Sequence, residues 1–399
     1  MIVQPKVKGY ICITAHPVGC AKQVQEQIDY VVQHGPVKGG PQKALIIGAS
    51  TGYGLATRVT AAFGSGAATL GVFFERPAEG ERTATAGWYN TAAFEKAALA
   101  KGFYAKSING DAFTDEIKQQ AADVIKKDLG RVDLLVYSLA APRRVHPKTG
   151  EVFKSVLKPT GRPYKNKSLN FDTNEVVEIT IEPATEDDVR QTVGVMGGED
   201  WEMWIDFLLS QKLLAPKALT VAYSYIGPKV TQTIYRQGTI GAAKDNLEKT
   251  ARELDRKMSR ISGRAIISVN KAILTQASSA IPFNPLYVVL LLKVMKEKGI
   301  NEGCIEQINR LFRDKVFNER SLSAIPVDAK GRIRVDDWEM REDVQKEVEK
   351  LWQEVSTENV TRLGDVKGYN AEFMKLFGFG LSGVDYGADV EVDININQA

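Results

Sequence analysis

"KALIIGASTGYGLATRVTAAF", residues 43–63, is the stretch that decides the fold. The run ALII is short, apolar and closed by Gly48, which reads as a buried strand, and LATRVTAAF carries the spacing of a helix. Between them lies Gly48-Ala49-Ser50-Thr51-Gly52-Tyr53-Gly54, a tight turn opening into a helix start. Such a turn leaves unpaired backbone N–H groups and a positive dipole end facing a ligand, an arrangement that suits a pyrophosphate. Glycine lets the backbone approach that ligand closely. Alone, GxxxGxG marks only a turn; a strand before it and a helix after it raise it to a nucleotide loop.

Outward from this loop the same rhythm recurs. Apolar runs at 68–75, 132–142, 218–227 and 264–280 alternate with helix-like stretches at 54–63, 91–101, 114–129, 198–211 and 241–258. Strand and helix in alternation predict an α/β fold, a Rossmann-type doubly wound parallel sheet. Residues 143–197 break the rhythm, being polar and turn-rich with period-two stretches such as 176–181, and read as an inserted β segment. From about Ser321 the chain turns charged and helical and ends in an acidic tail.

In a parallel sheet the strand ends gather at one crevice, so residues just past the runs are candidate ligand contacts. Glu75 closes the second run, behind Phe74 and 21 residues after Gly54. A carboxylate there accepts hydrogen bonds from both ribose hydroxyls of an adenosine and repels a 2′-phosphate, favouring NAD(H) over NADP(H). Asp111-Ala112, after YAKSING, stands where an adenine edge is expected, and Leu139-Ala140 where the fourth strand opens.

Tyr235 and Lys244 stand nine positions apart, with Gly238 and Gly241 between them. One straight helix would point them to opposite faces. The two glycines permit a loop before a helix starting near Gly241, bringing the phenol back over the lysine. The competing pair Tyr225 and Lys229 has the Tyr-x3-Lys spacing, but Gly227 and Pro228 oppose the helix it needs. Lys229 then reads as a surface residue, while Tyr225 ends a strand and faces the crevice.

Composition narrows the classes. With 52 Lys+Arg against 49 Asp+Glu, the net charge of +3 argues against a dedicated nucleic-acid protein. Cys12, Cys20 and Cys304 at unmatched spacing, with three histidines, give neither a disulfide framework nor a metal site. HPVGC, residues 16–20, reads as a turn because Pro17 and Gly19 spoil the helix that would aim His16 and Cys20 together, with a two-ligand metal site as the second reading. No run has the length of a membrane span, and the N-terminus lacks a signal peptide's apolar core, so a cytoplasmic protein is expected.

Taken together, AHPVGC, IGASTGYGLATR, GVFFERP, GWYN, YAKSINGDAF, HPKTGEVF, VMGGEDWEMW, TQASSAIP, KVMKEKGINEGCIEQI and LFGFG…GVDY make the chain similar, over nearly its whole length, to one family. It resembles the FabV type of NADH-dependent trans-2-enoyl-CoA and enoyl-acyl-carrier-protein reductases, whose signature Tyr-x8-Lys is matched by Tyr235 and Lys244. The resemblance implies reduction of the trans-2 double bond of an enoyl thioester, hydride to C3 and a proton to C2. It implies that Tyr235 stabilises the enolate oxygen, that Tyr225 contacts substrate, and that Lys244 binds the nicotinamide ribose and favours tyrosinate. It implies NADH contacts from Gly48, Ala49, Ser50, Thr51, Gly52, Tyr53, Phe74, Glu75, Asp111, Ala112, Leu139, Ala140, Lys244, Ile273, Leu274 and Thr275, with no metal. Enoyl-CoA or enoyl-acyl carrier protein is the implied partner, and a monomer the implied state.

On this reading residues 1–399 form one elongated domain: a nucleotide-binding core at 41–142 and 215–280, the insertion at 143–197, substrate-side helices at 281–320 and a helical extension at 321–399. Within 281–320, Leu286 and Tyr287 are expected to line the acyl pocket, and Lys293, Lys296 and Lys298 offer themselves to CoA phosphates or an acidic carrier. The rivals are a 3-ketoacyl or carbonyl reductase of the same fold, kept open by Ser224, and a non-catalytic NAD-binding protein using its acidic tail.

Overall fold

Seven parallel strands carry the core in a computed structural model of the chain, which describes residues 1–397 except 10, 280, 319 and 320. Strands β1 to β7 are Lys43–Ile47, Ala68–Phe73, Ala105–Asn109, Val132–Tyr137, Leu214–Ser224, Arg264–Val269 and Arg332–Arg334. They lie in the order β7-β6-β5-β4-β1-β2-β3, every neighbour parallel. The order reverses between β1 and β4, so a ligand crevice is expected outside the carboxyl ends there.

Both faces of the sheet are covered, which explains the unbroken apolar runs. Ala44 and Ile46 of β1 pack with Leu134, Val136, Val221 and Ile266 on one face; Leu45 and Ile47 pack with Leu70, Val72, Leu135 and Ile267 on the other. A third apolar cluster joins the helices Asn284–Glu297, Glu342–Glu354 and Val366–Lys375. In the first of these, residues 284–292 are all buried, so PLYVVLLL is a core helix. Among the described residues no helix is long and apolar enough to cross a membrane.

The segment after β4 holds two antiparallel hairpins, Arg143–Val145 with Val152–Lys154 and Tyr164–Leu169 with Val176–Ile181, then the helix Glu186–Met196. It is pinned to the chain around Tyr235: the Thr160 amide donates to Gln237 O at 2.9 Å and the Thr239 amide to Lys158 O at 3.0 Å.

Two expectations need correction. HPVGC is no turn: a helix runs over Pro17–Gln33, with Pro17 in the first turn, where its missing N–H costs nothing, and His16 Nδ1 accepting from the Gly19 amide at 3.1 Å. Gly19 is required there because an added Cβ would stand 1.6 Å from Gly378 O. The charged stretch after Ser321 is not wholly helical, since β7 adds a three-residue edge strand to the sheet. The acidic tail is packed on the body: Trp88 Nε1 donates to Ile394 O at 2.6 Å, Tyr89 Oη to Val392 O at 2.8 Å, and the Ser107 amide of β3 to Asn397 O at 3.1 Å. The tail thereby covers an edge strand that would otherwise be open to pairing. Ala280, the last residue of the 264–280 run, lies outside the described residues.

Candidate active site

The carboxyl ends of β1 to β6 deliver the sequence candidates to one edge of the sheet. After β1, Gly48 has φ 87°, and a Cβ on it would stand 2.3 Å from Ser138 O beyond β4. The helix Gly52–Val59 begins inside the loop, and a Cβ on Gly54 would meet Gly48 O at 1.8 Å. Any side chain at 48 or 54 would push this turn open. After β2, Asn109 Oδ1 accepts from the Glu75 amide at 2.8 Å, and Ser50 Oγ donates to Glu75 Oε1 at 2.7 Å. The carboxylate is thereby fixed beside the glycine loop, while Phe74 is exposed.

After β3, Asp111 Oδ1 accepts from the Phe113 amide at 3.0 Å, and Ala112 O accepts from Trp204 Nε1 at 3.1 Å. Leu139 and Ala140 follow β4, whose end is joined to β1 by the Ser138 amide donating to Ile47 O at 2.8 Å. After β6, Tyr53 Oη donates to Lys271 O at 2.9 Å, and Thr275 Cγ2 lies 3.6 Å from the point a Cβ on Gly52 would occupy. The glycine loop and segment 271–275 therefore face each other. They line a cavity of about 370 Å3 together with Asn90.

Asn90 is a contact the sequence reading missed, although GWYN stood among the quoted motifs. It is buried; its Nδ2 donates to Ser50 O at 3.3 Å, and its Oδ1 has no partner. An unpartnered acceptor beside Thr51 and Gly52, a backbone cradle that a Cβ would fill, and a fixed carboxylate at Glu75 fit a dinucleotide with ribose hydroxyls and a pyrophosphate.

Tyr235 ends the short helix Gln232–Tyr235, and the chain turns through Gly238 into the helix Thr239–Met258, two residues earlier than expected. A Cβ on Gly241 would stand 2.8 Å from Tyr235 O, so the short helix lies against the first turn of the long one. Lys244 is half-buried on that long helix. Lys229 is exposed in a single 3-10 turn, Lys229–Thr231, and does not share a helix turn with Tyr225.

Tyr225 and Tyr235 meet edge to face with centroids 4.8 Å apart. Tyr235 Oη donates to Asn284 Oδ1 at 3.2 Å, and Asn284 Nδ2 donates in turn to Ser278 O at 3.0 Å. Tyr225 Oη donates to Glu339 Oε1 at 3.1 Å. Burial, and then the charge of Glu339, pushes the Tyr235 phenol well above its usual range. Burial thus opposes the tyrosinate that the resemblance implied. Burial lowers the Lys244 ammonium to about 8.

Glu339 and Asn284 were absent from the sequence candidates, and both come from segments outside the Rossmann core. Leu286 and Tyr287 are fully buried, with the Tyr287 hydroxyl donating to Glu339 at 2.7 Å; Val288, Leu291 and Leu292 are the residues of their helix that line the cavity. Lys293, Lys296 and Lys298 are paired with Glu297, Asp365 and Asp343 at 2.9, 2.7 and 2.9 Å. Among the described residues no three His, Cys, Asp or Glu side chains gather as metal ligands.

Comparison with known proteins supplies the chemistry. Residues 82–317 match the model described as the trans-2-enoyl-CoA reductase catalytic region, and residues 2–80 the NAD(P)H binding domain of trans-2-enoyl-CoA reductase. The chain is 61% identical over 395 residues to an enoyl-[acyl-carrier-protein] reductase [NADH] of Coxiella burnetii, covering 98% of this chain and 97% of the other. It is 56% identical over 396 residues to a trans-2-enoyl-CoA reductase [NADH] of Ruminiclostridium cellulolyticum, covering 99% of each. A crystal structure of Treponema denticola trans-2-enoyl-CoA reductase in complex with NAD superimposes with a TM-score of 0.95 at 49% identity, covering 99% of this chain and 100% of that one.

A third model, described as an enoyl reductase FAD binding domain, matches residues 327–390. That segment does not fit a flavin: Tyr369, Phe373, Phe377 and Phe379 are buried in the core, and the Gly378 carbonyl is pressed against Gly19.

Proposed function

We propose the following division of labour from one premise: the chain belongs to the trans-2-enoyl-CoA reductase family and is an NADH-dependent enoyl-acyl-carrier-protein/trans-2-enoyl-CoA reductase. Its substrates are enoyl thioesters on acyl carrier protein or CoA. The observation that carries the division is the pair of tyrosines packed at the mouth of β5, with Tyr235 buried and its hydroxyl bonded to Asn284.

Bound NADH supplies the hydride that goes to C3 of the enoyl thioester. Negative charge then develops on the thioester oxygen, and Tyr235 donates its hydroxyl proton in a hydrogen bond to that oxygen. Its 3.2 Å bond to Asn284 is long enough to exchange for a stronger acceptor. Tyr225 forms the adjoining wall and contacts substrate, and C2 takes a proton from solvent water as the enolate collapses to the saturated thioester. Lys244 holds the nicotinamide ribose through its ammonium. Residues 48–53, Phe74 and Glu75, Asp111 and Ala112, Leu139 and Ala140, and Ile273, Leu274 and Thr275 hold the rest of the cofactor, with Asn90 added from the cavity wall. We place the reaction as the last reductive step of fatty acid elongation, in the cytoplasm.

A carbonyl reductase would need Tyr and Lys one helical turn apart, and the exposed Lys229 does not meet that need. The test follows NADH absorbance with crotonyl-CoA and with a 3-ketoacyl-CoA. Oxidation with the first and none with the second is expected; the reverse would establish the carbonyl reductase, and neither would leave an NAD-binding protein. In the same assay NADPH is expected to be poor. Glu75→Ala removes the carboxylate facing a 2′-phosphate and should raise the NADPH to NADH ratio of kcat/KM at least about tenfold.

A further inference from the structure

Glu339 lies beyond the last strand of the sheet, yet its carboxylate reaches the centre of the reaction site. It is fully buried, and three donors converge on it. Oε1 accepts from Tyr225 Oη at 3.1 Å and from Tyr287 Oη at 2.7 Å, and Oε2 accepts from the Ala272 amide at 2.7 Å. No acceptor faces it in these bonds, so the three donors favour the ionised carboxylate, against the burial that raises its pKa. Gln345 Nε2 closes the cluster from the next helix, donating to Tyr287 Oη at 3.2 Å and to the Glu339 carbonyl at 2.7 Å.

The two ends of this bridge matter for the chemistry. Ala272 precedes Ile273, Leu274 and Thr275, the cofactor side of the cavity. Tyr225 is the ring against which Tyr235 packs. Segment 271–275 has no ladder of its own: β6 ends at Val269 and the chain is irregular up to the helix Gln276–Ser279. The Asn270 amide, donating to Ser224 O at 2.9 Å, anchors its start, and Tyr53 and Gln307 hold Lys271; from Ala272 onward two side-chain tethers link it to the tyrosines. One runs from Tyr235 through Asn284 and Ser278, whose Oγ donates to Ile273 O at 2.7 Å. The other is Glu339.

We propose that Glu339 is a positioning residue, holding the cofactor-side segment and the Tyr225 wall at the separation that hydride transfer requires and accepting the hydrogen bond of the Tyr225 hydroxyl so that the phenol oxygen presents its acceptor side to the pocket. The proposal rests on the reductase reading above. Glutamine has the same shape but only one acceptor oxygen. With its oxygen on the Ala272 amide, its NH2 must face Tyr225 and Tyr287 and reverse both hydrogen bonds; with the amide flipped, the NH2 confronts the Ala272 N–H. The first orientation loses the acceptor that Tyr225 presents to the pocket and the second loses the tie to Ala272, and small misplacements at a reacting centre are expensive.

The experiment measures kcat and KM for crotonyl-CoA and NADH in the full-length enzyme, in Glu339→Gln, in Tyr225→Phe and in the double variant. Turnover by the unmodified enzyme first establishes the reductase reading on its own. Glu339→Gln is then expected to lose roughly 10- to 100-fold in kcat with KM little changed. In the Tyr225→Phe background the same change should cost much less, because the tether no longer has a hydroxyl to hold. Unchanged kcat in Glu339→Gln, or a loss of equal factor in both backgrounds, overturns the proposal. If the glutamine variant does not fold, the same comparison with Glu339→Asp, which keeps the charge and withdraws the oxygens by one methylene, decides it by the same criterion.

Discussion

Replacing Tyr235 by Phe is expected to lower kcat for crotonyl-CoA on the order of 10^2- to 10^3-fold, the usual consequence of deleting a donor aimed at a developing oxyanion. The ring would stay where it is. Tyr235 is 4% exposed, its edge-to-face contact with Tyr225 uses carbon atoms, and its hydroxyl makes a single 3.2 Å bond to Asn284. Leaving Asn284 Oδ1 without that donor costs about 1–3 kcal/mol of stability at most. A thermal melt of the variant separates this modest loss from the kinetic one, and NADH binding followed by fluorescence should be unaltered. Because the unmodified phenol stays protonated far above neutral pH, no titration of Tyr235 should appear in the pH–rate profile below about pH 10. Full activity in Tyr235→Phe would transfer the donor role to Tyr225, whose hydroxyl lies in the same cluster.

The unequal legibility of this site has physical causes. The nucleotide loop could be read because strand, tight turn and helix are encoded within residues 43–63, where local rules act. Gly238 and Gly241 announce the doubling-back of the chain between Tyr235 and Lys244; a Cβ on Gly241 would strike Arg236 O at 2.2 Å. Pro17 misled because proline breaks helix interiors but is welcome in a first turn, and what settles its position, the Gly378 carbonyl pressed on Gly19, is contributed from the far end of the chain. Strand β7 has only three residues, RIR, too few for a period to show, and is specified by its pairing with Ile267, Ser268 and Val269. Glu339 is invisible for the same reason. In DDWEMRED it is one acid among several, and only tertiary structure brings it to Tyr225, 114 positions earlier.

Lys244→Met is expected to separate stability from function in opposite directions. The ammonium is half-buried and, among the described residues, has no hydrogen-bond or ion-pair partner, so the protein without cofactor bears a desolvated charge that the methionine removes. Stability should rise by about 0.5–2 kcal/mol, read as a melting temperature a few degrees higher. Affinity for NADH should fall about 10- to 100-fold, the range for a hydrogen bond from a charged donor. The pH dependence fixes the sign. Folded Lys244 titrates near 8 against 10.5 for the free side chain, so between those values the unfolded chain binds more protons and the unmodified protein gains stability as pH rises. The advantage of the methionine variant is therefore full below pH 8 and disappears towards 10.5. NADH affinity runs the other way in the unmodified enzyme, full below pH 8 and falling above it as the ammonium is lost, and it should be flat across that range in Lys244→Met. A variant that melts lower than the unmodified protein, or that binds NADH as well, would show that Lys244 is a structural residue and that the ribose is held from elsewhere in the cleft.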